Sequence, residues 1–478
     1  MKRNTVIELL CLLSVEEIRR LGKFLRSPYF NQSQPLIVLF EQLRKWHPEY
    51  DAARIRPHII WKKVQPNKEF SEQEYWWFNH KLRLLIERFL VVEQVESNAA
   101  ASKKQLIQSH ARHNAHSLFE KETKALLGEI EKRPHQDIHS YSESLWLKHD
   151  YFFNPQTDKY GGALYSVEDA MEDLDRFYLL AKLRFAAEIK NRERIFVKKV
   201  PVKLLDESIV ESGKYIPENP AYLMYRNVLD LYDPEKAEAA FENGKKLLKN
   251  NFSYLSKHDQ NEVMLNLRNY AIRELNKGHT AFWKELLDLY KLGLELELIV
   301  ISGRIAESDF GNIVKVGCIN QAFDWTASFI EEHEQFLEPE IRDSAKNFSV
   351  STIHFAKKEY IKCIDLLENY KPSHILNYMS GRCTLIKCWF ELFLENHDLF
   401  DLVFSKIEAD EKLFRREISV SEERRSANIN FMLAVKKLIS VVVSRKKKNL
   451  KKEEMINYLQ SKTPIISSDW IKEKISDL

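Results

Sequence analysis

Apolar residues recur at steps of three and four residues along most of this chain, a period typical of amphipathic helices. The clearest stripe comprises Tyr75, Phe78, Leu82, Leu85 and Phe89. Ser71 precedes the stripe and is followed three residues later by Glu74, which is the spacing of a capping box. The pattern therefore predicts a helix that begins after Ser71 and packs this stripe against a core.

Two further capping-box spacings, Thr5 with Glu8 and Ser14 with Glu17, predict helices near the N-terminus. Pro28 disfavours helical backbone at the residue before it and is therefore expected to end the second of these helices. The N-terminal segment is predicted to be a module of helices joined by tight corners.

A linker is predicted at Asn154–Gly162, which holds one proline and two glycines. Soon after it, Ser166 with Asp169 is expected to cap a long helix. Two short β-branched runs, Ile195–Val197 and Leu298–Ile301, are interpreted as buried helix ends because each is only a few residues long. The fold class predicted is all-α.

Helical hairpins repeat in the second half of the chain. Trp325 and Tyr360 are 35 residues apart, and each follows a predicted turn between two helices. Ser328 and Cys363 lie three residues after these aromatics and are small enough to let two helices cross closely. This order of features resembles a tetratricopeptide-type hairpin, with weaker copies near Ala237, Phe282 and Leu402.

The tetratricopeptide-like resemblance implies antiparallel helical hairpins stacked as a superhelix, with the first helix of each pair on the inner, partner-binding face. The domains expected are an N-terminal helical module at 1–153, the repeat array at 166–445, and a C-terminal basic segment with capping helices at 446–478. The segments Leu13–Glu17 and Ser27–Asn31 are also similar to uncharacterised Bacteroidota proteins, a similarity that implies no activity.

Composition limits the classes of partner. The 73 basic and 70 acidic residues give a net charge of +3, so the chain lacks a strong global field for nucleic acid or membranes. The five cysteines form no C-x-x-C pair, which is typical of reduced thiols and predicts a cytoplasmic protein. No signal peptide is predicted, and no membrane insertion.

Candidate chemistry is sparse. His110, His113 and His116 form an H-x-x-H-x-x-H run on a predicted helix, but the third turns away from the other two, so a solvated face is the favoured interpretation. Tyr160-Gly161-Gly162 lacks the lysine and hydroxyl of a phosphate-binding loop. No nucleophile elbow, zinc-protease or kinase motif occurs. We therefore expect no enzymatic activity and no cofactor or metal.

Basic residues concentrate near the C-terminus. The candidate phosphate or nucleic-acid contacts are Arg445, Lys446, Lys447, Lys448, Lys451 and Lys452. Cations after a helix C-terminus are also favoured by its free carbonyl groups, which gives the cluster a structural interpretation. A second basic region includes Arg19, Arg20, Lys62 and Lys63, and the two regions together would suit a nucleic-acid-associated regulatory protein.

The function predicted is a non-catalytic scaffold or adaptor that binds a protein or peptide, with the nucleic-acid-associated regulator as the alternative. The aromatic group Tyr75-Trp76-Trp77-Phe78 is interpreted as core packing, whereas exposure of Trp76 or Trp77 would indicate a partner groove.

Overall fold

The structure, a computed structural model, describes residues 4–50, 55–158, 165–195, 200–368, 370, 372, 375–444 and 448–478. Within these ranges it contains 23 helices and no strand. The predicted all-α class is therefore confirmed.

The helices follow one another with short connections. The first nine are α1 (Thr5–Cys11), α2 (Val15–Arg26), α3 (Gln34–Leu43), α4 (Pro57–Val64), α5 (Glu72–Ser97), α6 (Ala99–Arg112), α7 (His116–Glu131), α8 (Ile138–Phe152) and α9 (Val167–Ile195). The next seven are α10 (Leu205–Tyr215), α11 (Pro220–Asp230), α12 (Ala237–Asn250), α13 (Lys257–Asn276), α14 (Phe282–Glu295), α15 (Glu307–Ile319) and α16 (Phe323–His333). The last seven are α17 (Pro339–Ala356), α18 (Tyr360–Glu368), α19 (Ile375–Glu395), α20 (Phe400–Arg416), α21 (Glu422–Val443), α22 (Lys448–Gln460) and α23 (Ser468–Asp477).

Contacts within the chain define two compact units. The first comprises residues 1–133 and 138–177, and the second comprises residues 134–137 and 178–478. The division falls within α9. The predicted domain bounds, 1–153, 166–445 and 446–478, stay a prediction.

In the first unit, α1 to α5 enclose one core. Leu21 of α2, Phe40 of α3, Trp61 of α4 and Leu82 of α5 are fully buried there. Burial of one such side chain contributes about 1.5–3 kcal/mol. The stripe predicted on α5 lies in this core, except that Leu85 is only partly buried. A smaller core forms among α6, α7 and α8.

Side-chain caps predicted from sequence are present at the starts of α2 and α9. Glu17 N donates to Ser14 Oγ at 3.2 Å, and Ser14 N donates to Glu17 Oε2 at 2.7 Å, so this box is confirmed. The same reciprocal bonds join Ser166 and Asp169 at 3.2 and 2.8 Å. The cap predicted at Thr5 is wrong, because Thr5 is the first residue of α1 and the side chain of the preceding residue, Asn4, accepts from Val6 N at 3.1 Å.

In the second unit, each helix from α11 to α23 packs on the next one along the chain. In addition, α11 packs on α13, α15 on α17, and α19 on α21. Each pair of neighbouring helices thus packs on a following helix, and the core of this unit extends from one pair to the next.

The same type of turn recurs along the chain, and examples join α13 to α14, α15 to α16 and α17 to α18. Gly278, Gln321 and Lys358 each have a positive φ, of 94°, 57° and 62°. The next residue in each turn donates its N–H back to a carbonyl five residues earlier, at 3.1, 3.0 and 2.9 Å. These are the left-handed residue and the long backbone bond of a Schellman motif, which ends a helix and reverses the chain.

The close helix crossing predicted at Ser328 is wrong, because this side chain is exposed. The close approach lies two residues earlier, between α15 and α16. A Cβ atom at Gly317 would lie only 2.2 Å from Thr326 Oγ1. Cys363, by contrast, is fully buried between α18 and α19.

The run Leu298–Ile301 is not a helix end, because α14 already ends at Glu295. Leu298 and Ile299 are buried in the turn that follows, and Ile301 pairs with Arg304 in an isolated bridge. Of the other run, Ile195 ends α9 and the remainder lies outside the described residues.

Among the described helices, α21 alone is long and apolar enough to cross a bilayer by length and composition. Half of its most apolar window is buried. Phe431, Val435, Leu438 and Ile439 are fully buried in the core of the second unit. Packing within this unit therefore accounts for the apolar character of α21.

Candidate functional site

A groove of about 720 Å³ lies along α15, α17 and α19 in the second unit. Its apolar lining includes Phe310 and Val314 of α15, Phe348 and Phe355 of α17, and Leu376 of α19. Each of these helices packs against the one that follows it, α16, α18 and α20 respectively. The groove is therefore formed by the first helix of three successive helix pairs.

Aromatic stacking fixes one wall of the groove. The rings of Phe348 and Tyr370 are stacked, with centroids 5.6 Å apart. Tyr370 in turn lies on α19 at Gly381, where a Cβ atom would be 2.7 Å from the tyrosine ring. Glycine at this position thus lets the ring lie flat against the helix and face the groove.

A hydrogen bond joins two of the helices at the groove. Asn377 Nδ2 of α19 donates to Glu307 Oε1 of α15 at 2.6 Å. Since Glu307 and Asn377 both line the groove, the one carboxylate in its lining already has a partner.

Lys387 is the unusual charge of this site. Its Nζ lies 5.9 Å from the ring centroid of Phe355, 5.8 Å from that of Phe431 and 5.7 Å from that of Trp470. Burial lowers the pKa of Lys387 below its ordinary value, and the positive charge of Lys315 on α15 lowers this pKa further.

Within the described part of the chain, no carboxylate oxygen lies within 4.0 Å of the Lys387 ammonium group. Glu391, one helical turn further along α19, is at the spacing of a helical ion pair. Its carboxylate is instead bound by Lys474 Nζ at 2.9 Å and by Trp470 Nε1 at 3.1 Å. Lys387 is thus a partly buried cation, and the carboxylate at ion-pair spacing on the same helix is bound by other residues.

A second cavity, of about 430 Å³, lies next to the groove. Lys387 lines both spaces, and Arg424 at the start of α21 lines the second one. Like Lys387, neither Lys315 nor Arg424 has an ion-pair partner among the described residues. The groove and its neighbour therefore combine apolar walls with three unpaired cations.

This arrangement suits a ligand that has bulky apolar groups and a negative charge. The apolar walls offer burial, which contributes about 25 cal/mol per Å². Lys387 is partly buried beside aromatic rings, so an arriving carboxylate would interact more strongly there than on an open surface.

The basic residues predicted as phosphate contacts lie elsewhere. Arg445, Lys446 and Lys447 are outside the described residues, and Lys448 begins α22. Lys451 Nζ donates to the carbonyl of Val442 at 2.8 Å, near the end of α21. Lys452 Nζ donates to the carbonyl of Ser476 at 2.7 Å, near the end of α23. Both lysines thus bind carbonyl groups near helix C-termini, which is the structural interpretation of this cluster. A phosphate site there stays a prediction.

The histidine run does not occupy one helix, contrary to the prediction. His110 lies on α6, which ends at Arg112, and His116 begins α7. A turn separates the two helices, and in it His113 Nδ1 lies 2.8 Å from the carbonyl of Ser109. In the described ranges, no three His, Cys, Asp or Glu side chains are grouped to hold a metal ion. Tyr160-Gly161-Gly162 lies outside the described residues.

The N-terminal basic residues are partly neutralised. Arg19 forms an ion pair with Glu16 at 2.7 Å, and Arg20 forms one with Glu93 at 2.6 Å. Of the adjacent tryptophans, Trp76 is half-buried, whereas Trp77 is 53% exposed with Lys81 over its ring.

Sequence reasoning missed Lys387, although a signal was present. The residue interrupts the apolar run Leu385-Ile386-Lys387-Cys388-Trp389-Phe390. Lysine is almost never fully buried unless it is paired, so a lysine within an apolar helical run indicates a candidate functional residue.

Comparison with protein-family models, curated proteins and solved structures finds no match. The tetratricopeptide-like and Bacteroidota resemblances therefore stay predictions.

Proposed function

We propose that this chain is a non-catalytic, tetratricopeptide-like helical-repeat scaffold whose groove on α15, α17 and α19 binds a peptide segment of another protein. One observation carries the proposal: an open, largely apolar groove lies along the first helices of three successive helix pairs. Such a surface is the one on which stacked helical hairpins bind extended partners.

The turns support the repeat interpretation. Gln321 between α15 and α16 and Lys358 between α17 and α18 occupy the same left-handed position in equivalent turns. These matching turns follow two of the three helices that form the groove, and these two helices, α15 and α17, pack directly on one another. Residues of α15, α17 and α19 together line the groove.

The size of the groove suits side chains rather than a whole folded partner. Its volume of about 720 Å³ is within the range of pockets that enclose small ligands, roughly 300–1,000 Å³. Two bulky apolar side chains buried there would contribute about 3–6 kcal/mol before the cost of ordering the peptide. A dissociation constant of 1 μM corresponds to about 8 kcal/mol, so burial of these two side chains alone would give weaker binding, on the order of millimolar.

The test is selection of a displayed random peptide library on the purified full chain, followed by binding of the enriched peptides to two groove variants. Gly311 lines the groove, and no atom lies within 4 Å of the position that its Cβ would occupy. Gly311→Trp therefore fills the groove without displacing the core, and Gly311→Ala leaves it open. Gly128 on α7 is equally unobstructed, so Gly128→Trp is the matched control outside the groove.

We expect enriched peptides to bind the original chain, Gly311→Ala and Gly128→Trp alike, and to lose at least tenfold in affinity for Gly311→Trp. Fluorescence anisotropy with labelled peptides measures this. Peptides that bind Gly311→Trp as well as the original chain would place recognition outside the groove and refute the proposal. Failure of the library to enrich any peptide would refute it as well.

A further inference from the structure

We infer that the peptide segment bound in this groove carries an aspartate or glutamate side chain, which forms an ion pair with Lys387 where the groove meets the neighbouring cavity. The inference rests on the proposed function and adds the chemistry of the partner.

The charges around the groove favour an acidic partner. Lys315, Lys387 and Arg424 face the groove or its neighbour without an ion-pair partner in the described ranges. The carboxylate of Glu307 is bound by Asn377. A bound carboxylate would therefore meet cations that are free to pair with it, and a bound lysine or arginine would be repelled.

The surroundings of Lys387 also favour a carboxylate from the ligand. A partly buried cation beside the rings of Phe355, Phe431 and Trp470, with no carboxylate partner in the described ranges, lowers the stability of the free protein. Lys474 binds Glu391 and so removes the one acidic residue on α19 that could have neutralised it. The side chain is thus held without a partner at the centre of a binding surface, where a ligand can supply one.

The position of Lys387 decides between two sources of the carboxylate. Lys387 lines both the groove and the adjoining cavity, so the open space continues past it. A segment that follows both spaces would meet Lys387 with a side chain inside the segment rather than with its C-terminal carboxylate.

The test uses C-terminally amidated synthetic peptides made from the sequences that the library enriches. Each acidic peptide is paired with its neutral form, in which Asp is replaced by Asn or Glu by Gln. Binding of both forms is measured by fluorescence anisotropy to the original chain, to Lys387→Met and to Lys412→Met. Lys412 is an exposed lysine of α20 that lies outside the groove, so its variant is the matched control.

The original chain and Lys412→Met should bind the acidic form about tenfold more tightly than the neutral form, as for a charge-assisted hydrogen bond. Lys387→Met should bind both forms equally. The comparison of acidic and neutral peptides on the original chain needs no variant, so it decides the question even if Lys387→Met fails to fold.

Enriched peptides without an acidic residue, or a preference for the acidic form that survives in Lys387→Met, would overturn the inference. A peptide that binds only with a free C-terminal carboxylate would also overturn it. In these cases sensitivity to Gly311→Trp would still support the proposed function. Insensitivity to Gly311→Trp would instead remove the proposed function, and this inference with it.

Discussion

Glu391 follows Lys387 by one turn of α19, yet its carboxylate is bound by Lys474 Nζ at 2.9 Å, which leaves Lys387 without a carboxylate partner among the described residues. An ion pair within the helix would have needed no contact with another helix, because residues four apart lie on the same face. The contact with α23 therefore has two effects: it attaches the last helix to α19, and it leaves a cation at the groove.

Lys387→Met should stabilise the free protein. Because burial disfavours the ammonium ion, an apolar side chain of similar length is expected to raise the free energy of unfolding by about 1 kcal/mol at pH 7. Urea denaturation followed by circular dichroism measures the change, with Lys412→Met as the control that should stay unchanged. A loss of stability in Lys387→Met would show that Lys387 has a stabilising partner.

The same residue should give the stability of the protein a pH dependence. The pKa of Lys387 is lowered in the folded state from the ordinary 10.5. Between the lowered pKa and 10.5 the unfolded chain binds more protons, so this contribution to the free energy of unfolding rises with pH. The rise should be smaller in Lys387→Met than in Lys412→Met, and equal rises in the two variants would contradict the assignment.

Lys474→Met should destabilise the protein strongly. Lys474 and Glu391 are only 12% and 9% exposed, and loss of the lysine leaves a buried carboxylate with a single hydrogen bond from Trp470. We expect a loss of about 3 kcal/mol in the free energy of unfolding. The double variant Glu391→Met with Lys474→Met should recover part of this loss, because it removes both charges.

A matched control lies on the same helix. Lys472 pairs with Asp469 at 3.8 Å, but the two side chains are 69% and 98% exposed. Lys472→Met should therefore change the free energy of unfolding by less than about 0.5 kcal/mol. If Lys474→Met were as mild as Lys472→Met, the pair of Lys474 with Glu391 would not hold α23 in place.

Two glycines of α15 should respond to alanine in opposite directions. At Gly311 a Cβ atom meets nothing within 4 Å, and alanine is the better helix former, so Gly311→Ala should stabilise by about 0.5–1 kcal/mol. At Gly317 the Cβ atom would lie 2.2 Å from Thr326 Oγ1, so Gly317→Ala should destabilise by about 1–3 kcal/mol. Shifts of the thermal midpoint in the same direction would refute the crossing described for α15 and α16.

Sequence patterns predicted local features best. The caps at Ser14 and Ser166 follow from bonds between residues three apart, and the break before Pro28 follows from its own ring. Such features depend on neighbours in the chain, so their residues carry the information directly. The all-α class follows from the same patterns repeated along the chain.

Features that depend on distant partners were not predictable in this way. The pairing of Lys474 with Glu391 joins residues 83 positions apart, and no spacing in the sequence favours this partner over Lys387. The sequence predicts a close helix crossing at Ser328, whereas the close approach lies at Gly317. The difference arises because the rotation of a helix about its axis is set by packing against its neighbours. The groove is therefore the part of the molecule that required the structure.

The turn after α13 should make the stability of the protein sensitive to acid. His279 Nδ1 and Lys277 Nζ lie 2.7 and 2.6 Å from the two carboxylate oxygens of Glu274. Burial by itself would raise the pKa of Glu274, but the hydrogen bonds from Lys277 and His279 outweigh it and hold this pKa below the ordinary 4.5. The contribution of Glu274 is therefore complete above pH 4.5 and is lost as the pH falls through its lowered pKa.

Glu274→Gln should accordingly lower the free energy of unfolding by about 1 kcal/mol at neutral pH and by progressively less in acid, where the original side chain is also protonated. Urea denaturation across this pH range measures the difference. Glu359, which pairs with His354 across the equivalent turn, is 36% exposed against 8% for Glu274. Glu359→Gln is the matched control and should have the smaller effect, because solvent weakens its ion pair. A loss in Glu274→Gln that stayed constant down to pH 3 would show that the side chain acts through packing instead of charge.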